Sequence, residues 1–207
     1  MKITAIKTYI VWAGRRNVCV FKVEADDGAY GWGESGFTGR ELAVDGIARH
    51  FREWLIGRDS RKIGALWQEM YRSHYFEGGR VVTSAMSAID IALHDMNARR
   101  LGIPVYQLLG GKHRNHVPCF VTSVVEPGPG ILEDGIRLVN DGWKVIRTVW
   151  GHPETDDPTL FEPRESIAVT SEWLTKLRET VGREPVLGID YHHRLSVAEA
   201  ASFCNAM

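Results

Sequence analysis

The chain has 207 residues, 44% of them hydrophobic and 25% charged, enough apolar material to bury a core and ordinary for a soluble globular protein. Its 25 basic and 26 acidic residues leave a net charge of −1, which offers no field for nucleic acid or a membrane surface and makes a small-molecule partner the better expectation. No run approaches the ~20 apolar residues that span a bilayer, Lys2 and Lys7 interrupt what a secretory leader would keep apolar, and Cys19, Cys119 and Cys204 are few, odd in number and far apart, as free thiols of a reducing cytoplasm are.

Taken in chain order, the first elements are strands. Ile3 to Trp12 is followed by Val18 to Ala25, where Cys19, Phe21, Val23 and Ala25 alternate with polar residues, and by Tyr30 to Glu34; Asp26-Asp27-Gly28 makes the turn between the last two. Three helices follow, with apolar positions recurring at three and four residues: Ala43 to Leu55, Ile63 to Met70 and Val82 to Met96. Ala88, Ile91 and Ala92 add apolar surface on the far side of the third, which predicts burial between layers. Strands followed by helices describe an α+β unit.

After Gly102-Ile103-Pro104 and Gly110-Gly111 the pattern changes. Val117 to Thr122 reads as a strand, Ile131 to Asp141 as a helix closed by Gly142, and Lys144 to Trp150 as a strand. A long polar loop, a helix from Arg164 to Val181 and a strand from Pro185 to Asp190 complete the run, and a further helix begins at Ser196. Such β-α-β-α-β order with apolar strands predicts a parallel sheet, with ligand chemistry at the carboxyl ends of its strands.

Those ends carry the polar residues. Strand alternation places Asp190 and His192 on one face, and Arg147 on the inner face of the preceding strand, so that a carboxylate, an imidazole and a guanidinium share one space. A buried arginine calls for an anion, and the trio suits an anionic substrate or a hard cation. Plainer readings exist for each residue alone: Asp190 as a helix cap, His192 and His193 as a solvated turn, Arg147 in a structural ion pair. Gly28, Gly31 and Gly33 do not open a helix after a strand and are hairpin glycines, and Gly110-Gly111-Lys112 lacks phosphate-loop spacing. Asp90 and Asp95 read as structural.

The stretch from Ala85 to Met96, continued by Pro104 to Gly111, resembles the signature helix of the mandelate racemase and muconate lactonizing branch of the enolase superfamily, and Gly31-Trp32-Gly33-Glu34 resembles that family's first-domain hairpin. Asn97 and Arg99 depart from the pattern. The resemblance implies an α+β capping domain, residues 1–113, followed by the first part of a (β/α) TIM-like barrel, residues 117–207, with three β/α units visible. It implies Mg²⁺ held by acidic residues at three successive barrel strands, Asp190 being the first. Proton abstraction next to a substrate carboxylate, with the metal offsetting the developing charge, is the family's shared step.

The run Arg147-Thr148-Val149 has no lysine base, which disfavours a racemase, epimerase or lysine-dependent cycloisomerase. Asp190-Tyr191-His192-His193-Arg194-Leu195 resembles the third-strand motif of acid-sugar dehydratases of the mannonate and galactonate type. This assigns His192 to acid/base work and Arg147 to substrate oxygens or a partner base, with a small sugar acid as substrate. Gly151 to Pro163 lacks the tyrosine of mannonate-type enzymes. Trp12 to Asn17, with Arg15, and Tyr75 to Arg80 occupy the positions of the two loops that close over substrate, with His193 adding a further contact and Gly78-Gly79 a hinge. Self-association into a homo-oligomer is also implied. Residues 117–207 fall well short of the ~250 residues of a barrel. The remaining barrel half is therefore required, and the chain alone is expected to be inactive; the alternative is a non-catalytic fragment or pseudo-enzyme that acts through assembly.

Overall fold

The computed structural model describes residues 1–72, 75–76, 78–152 and 160–207, which divide into two compact units, Met1–Asn115 and His116–Met207. In the first, β1 (Ile3–Trp12), β2 (Asn17–Ala25) and β3 (Tyr30–Ser35) form an antiparallel sheet in that order, followed by α1 (Glu41–Leu55), α2 (Ile63–Arg72), α3 (Gly79–Leu101) and the short α4 (Val105–Leu108). Alternation turns Ile6, Phe21, Val23, Gly31 and Gly33 inward, where the stripes of the helices bury them.

α3 lies at the centre. Its Ala88, Ala92 and Met96 meet the sheet, while Ile89 and Leu93 are buried in the same core as α1 and α2. A Cβ on Gly33 would stand 2.0 Å from the Ala88 carbonyl oxygen, and one on Gly31 would stand 2.0 Å from that of Ala92. The two hairpin glycines therefore let helix and strand backbones approach directly. Ile91 falls outside these stripes and is 47% exposed, so the expected far-side burial of α3 holds for Ala88 and Ala92 and not for Ile91. The helix ends at left-handed Gly102, with the Ile103 N–H donating to the Ala98 carbonyl. Asp95 accepts from the Trp32 backbone N–H and pairs with Arg99, and Asp90 lies against His94.

In the second unit, β4 (Val121–Thr122), β5 (Val145–Thr148) and β6 (Val186–Ile189) form a parallel sheet in that order, alternating with α5 (Pro129–Asn140) and α6 (Pro163–Val181) and followed by α7 (Val197–Ala206). All three strands are shorter than the sequence pattern suggests. Pro118, lacking an N–H, sits in the stretch before β4. After β5 the Gly151 backbone bonds to the Thr170 and Ser166 hydroxyls of α6 instead of a neighbouring strand. β6 stops at Ile189, where the chain turns. Ile131, Ile167, Leu174, Leu177 and Phe203 make the buried core, joined by Leu187 and Ile189. On the opposite side of β5 and β6 lie Val145, Arg147, Val186 and Gly188; Val186 is 58% exposed and the other three are partly buried. No helix among the described residues is long and apolar enough to cross a membrane.

Candidate active site

The ends of the three parallel strands bring together the residues that strand alternation predicted. Register aligns Thr122 with Arg147 and Arg147 with Gly188. Arg147 donates from Nε to the Thr122 hydroxyl at 3.1 Å and from a terminal nitrogen to Asp190 Oδ2 at 3.0 Å, while its guanidinium rides 4.9 Å from the centre of the Phe120 ring. The two partners of the ion pair are 35% and 36% exposed, so Arg147 is half-buried and not fully enclosed as the sequence suggested. Its anion is Asp190.

His192 reaches the same carboxylate, by a route other than strand alternation. The strand ends before Asp190, whose Oδ1 accepts the His192 backbone N–H at 2.9 Å. His192 and His193 then take left-handed backbone values, φ 46° and 61°, uncommon for residues with a side chain. This tight turn swings His192 Nε2 to 3.0 Å from Asp190 Oδ2. The helix after it is capped by Ser196 and Glu199 in a reciprocal capping box, which leaves Asp190 free of the capping role.

Trp150, read from sequence as the last residue of a strand, organises the surroundings. Its ring meets His192 edge-on at 5.2 Å and lies nearly parallel to Tyr191 at 6.2 Å. Its Nε1 donates to His152 at 3.1 Å, and the Arg194 guanidinium sits 4.8 Å from its ring centre and 5.6 Å from that of Phe161. Tyr191 is itself held by Phe203 and by the Ser166 carbonyl. An aromatic at a strand end gives no signal by which sequence separates it from core; Thr122, a polar residue ending the neighbouring strand, did carry one.

His193 lies beside this cluster and is exposed. The other predicted substrate contacts belong to the first unit. Trp12 ends β1 and is 64% exposed, Arg15 is at the tip of the β1–β2 hairpin, Tyr75 is 97% exposed with its ring against Phe76, and Arg80 lies exposed in the first turn of α3. Residue 77 of the second predicted closing loop, residues 73 and 74 just before it, and residues 153–159 of the long polar loop after β5 lie outside the described residues. Among the described residues no three histidines, cysteines or acids are grouped as a metal would need; Asp190 is the carboxylate of the strand-end cluster and its hard oxygen donor.

Residues 3–110 match the family described as mandelate racemase / muconate lactonizing enzyme, N-terminal domain. The D-galactonate dehydratase of Variovorax paradoxus is 31% identical over 210 residues, covering 100% of this chain and 52% of the relative. The D-mannonate dehydratase of Novosphingobium aromaticivorans is 34% identical over 223 residues, covering 98% and 55%. An enolase from Pantoea ananatis, solved with bound D-gluconate and Mg, superposes with a TM-score of 0.86 at 27% identity, covering 99% of this chain and 57% of that one. The chain spans about half the length of the curated relatives it matches. It belongs to the mandelate racemase and muconate lactonizing enzyme family of the enolase superfamily, where its relatives include dehydratases of acid sugars.

Proposed function

We propose that this chain supplies a capping domain, residues 1–113, and the first three strand–helix units of a (β/α) barrel, residues 117–207, to a Mg²⁺-dependent dehydratase of an aldonate-type sugar acid. The observation that carries the reading is the sharing of one carboxylate oxygen, Asp190 Oδ2, by Arg147 and His192 at 3.0 Å each, at the carboxyl ends of adjacent parallel strands. Dehydration needs a metal-binding acid, a cation for substrate oxygens and a proton-transfer group; these three residues are of those kinds.

Asp190 would hold the Mg²⁺, as one of several oxygen donors that the described residues do not complete. When bound, the ion offsets the charge that develops on the substrate carboxylate as the adjacent C–H bond breaks. His192 then either takes that proton or protonates the β-hydroxyl as its C–O bond breaks. Water leaves, and the enol product rearranges to a 2-keto-3-deoxy acid with no net oxidation. Arg147 binds substrate oxygens, with Trp12, Arg15, Tyr75, Arg80 and His193 as further substrate contacts. Catalysis is a property of the assembled protein, self-associated and in the reducing setting that its free thiols Cys19, Cys119 and Cys204 suit.

The test is a screen of sugar acids for 2-keto acid product, with Mg²⁺ and after its removal by chelation, on the protein with its barrel completed. His192→Asn should lower turnover by about 10²–10⁴-fold with bound Mg²⁺ nearly unchanged. Full turnover in that variant would remove His192 from the chemistry, and activity indifferent to chelation would remove the metal.

A further inference from the structure

The turn that carries His192 runs against the preference of its own backbone. His192 and His193 hold φ values of 46° and 61° in succession, a region where a Cβ crowds the carbonyl oxygen that follows. Such a pair persists only where its surroundings over-determine it. Two bonds close the turn locally: the His192 N–H donates to Asp190 Oδ1 at 2.9 Å, and the Arg194 N–H donates to the Tyr191 carbonyl at 3.0 Å.

Both ends of the turn also rest on one indole. Tyr191, just before the strained pair, lies 21° from parallel to the Trp150 ring at 6.2 Å, and Arg194, just after it, holds its guanidinium 4.8 Å from the centre of that ring. His192 meets the same ring at 5.2 Å with 74° between the planes. Three of four consecutive side chains therefore converge on Trp150. The indole takes its own support from elsewhere. It lies two residues past the end of β5, and the next residue, Gly151, is bonded through its N–H to the Thr170 hydroxyl at 2.8 Å and through its carbonyl to the Ser166 hydroxyl at 2.7 Å, both on α6. Its Nε1 donates to His152 at 3.1 Å. The ring is thus anchored to the helix behind the sheet and not to the turn that it supports.

We infer that Trp150 is a positioning residue, which clamps the left-handed turn from Tyr191 to Arg194 and fixes the plane of the His192 imidazole, so that Nε2 stays at the 3.0 Å it keeps from Asp190 Oδ2. It acts through His192 and not on substrate. The effect on rate rests on the dehydratase reading, because a displacement of about 1 Å in a proton-transfer group is enough to cost up to about 10²-fold. The effect on the imidazole rests on geometry alone.

Two readouts keep these apart. In the chain without substrate or metal, the ring protons of His192 should show nuclear Overhauser contacts to the Trp150 indole, and Trp150→Leu should shift and broaden the His192 ring signals while amides of residues 131–140 hold their positions. Trp150→Phe, which keeps a ring face for Tyr191 and Arg194, should restore most of the original pattern. Arg194→Met, an exposed change that lifts one end of the turn off the indole, should move the same signals by less, and it serves where Trp150→Leu does not fold. In the protein with its barrel completed, Trp150→Leu should lower kcat by about 10–10²-fold, with KM for the sugar acid and Mg²⁺ affinity within about twofold of the unaltered values, and Trp150→Phe should recover most of the loss. His192 ring signals left unchanged by Trp150→Leu or Arg194→Met would overturn the clamp, and a loss that falls on KM instead of kcat would make Trp150 a substrate contact. Absence of turnover in the unaltered assembled protein would remove the dehydratase reading, and the imidazole signals would then decide the clamp by themselves.

Discussion

The two units of this chain use similar elements and close differently. In the first, a sheet and three helices converge on a continuous cluster of buried side chains from Ile3 to Met96, and the helix at its centre touches the sheet backbone to backbone. In the second, a core of Ile131, Ile167, Leu174, Leu177 and Phe203 holds helices to one face of a three-stranded sheet, and the other face carries Val186 and Arg147. The reactive groups stand at the edge of the less closed unit. Enclosing Arg147 and Asp190 fully would exact a desolvation cost that a single ion pair does not reliably offset, so a polar cluster at strand ends is more easily kept half-exposed than packed.

The largest effect should come from the first unit. Gly33→Val places a side chain where even a Cβ would stand 2.0 Å from a helix carbonyl, and should cost about 3 kcal/mol or more. Amide exchange should then accelerate through residues 3–101 while residues 121–206 keep their protection; equal loss in both would mean that the units do not close independently. Next come paired truncations. Leu93→Ala, in the denser cluster, should cost about 4–5 kcal/mol, and Leu177→Ala about 2–3 kcal/mol because its surroundings have more freedom to collapse into the space. Denaturant midpoints resolved by unit would decide it, and a reversed order would contradict the ranking of the two cores.

Acid should separate the units by less. Glu24 is held below its ordinary range by Lys22 and Lys7, Asp27 by Arg100, Glu41 by the Gly39 N–H, and Asp45, against its burial, by the Thr8 hydroxyl and Arg49; the second unit has Asp134, where bonds from Ser123 and Arg137 outweigh the opposing burial, and Glu199 in its capping box. A carboxyl whose folded value lies below its unfolded value stabilises at neutral pH, and that contribution is lost as pH falls below the ordinary carboxylate range, about 4, toward the folded value. Protection in the first unit should therefore decline more steeply below pH 4 than in the second, and parallel declines would argue against it. The smallest effect is chemical. Burial, with Asp45 and Glu41 adding to it, pushes the Cys19 thiol up to about 11, so a thiol reagent at pH 7.5 should label exposed Cys119 and Cys204 well before Cys19; early Cys19 labelling would show the first core to be open.

Periodicity reported the first unit well because α1 and α2 each have an apolar stripe, α3 has apolar positions on more than one side, and β2 and β3 alternate, all local properties of sequence. The reason for Gly31 and Gly33 was not local: it lies 61 and 55 residues downstream, at Ala92 and Ala88 in the backbone of α3. At the site, parity brought Asp190 and His192 together although the strand had already ended, because a left-handed turn returns the chain to the same carboxylate. Trp150 escaped notice for the opposite reason. Its partners Tyr191, His192 and Arg194 come from the next strand end, and nothing in the immediate sequence marks it as different from a core aromatic.

The consecutive left-handed histidines set up a trade between robustness and function at single-residue resolution. Glycine at position 193 would adopt φ 61° without side-chain strain and ought to ease the turn, yet it would also widen the range of backbone shapes open to its neighbour. An engineer who selected only for heat resistance would find that exchange attractive and would loosen His192 in the process. The turn is thus a place where improving the scaffold and preserving the tool it carries pull in opposite directions.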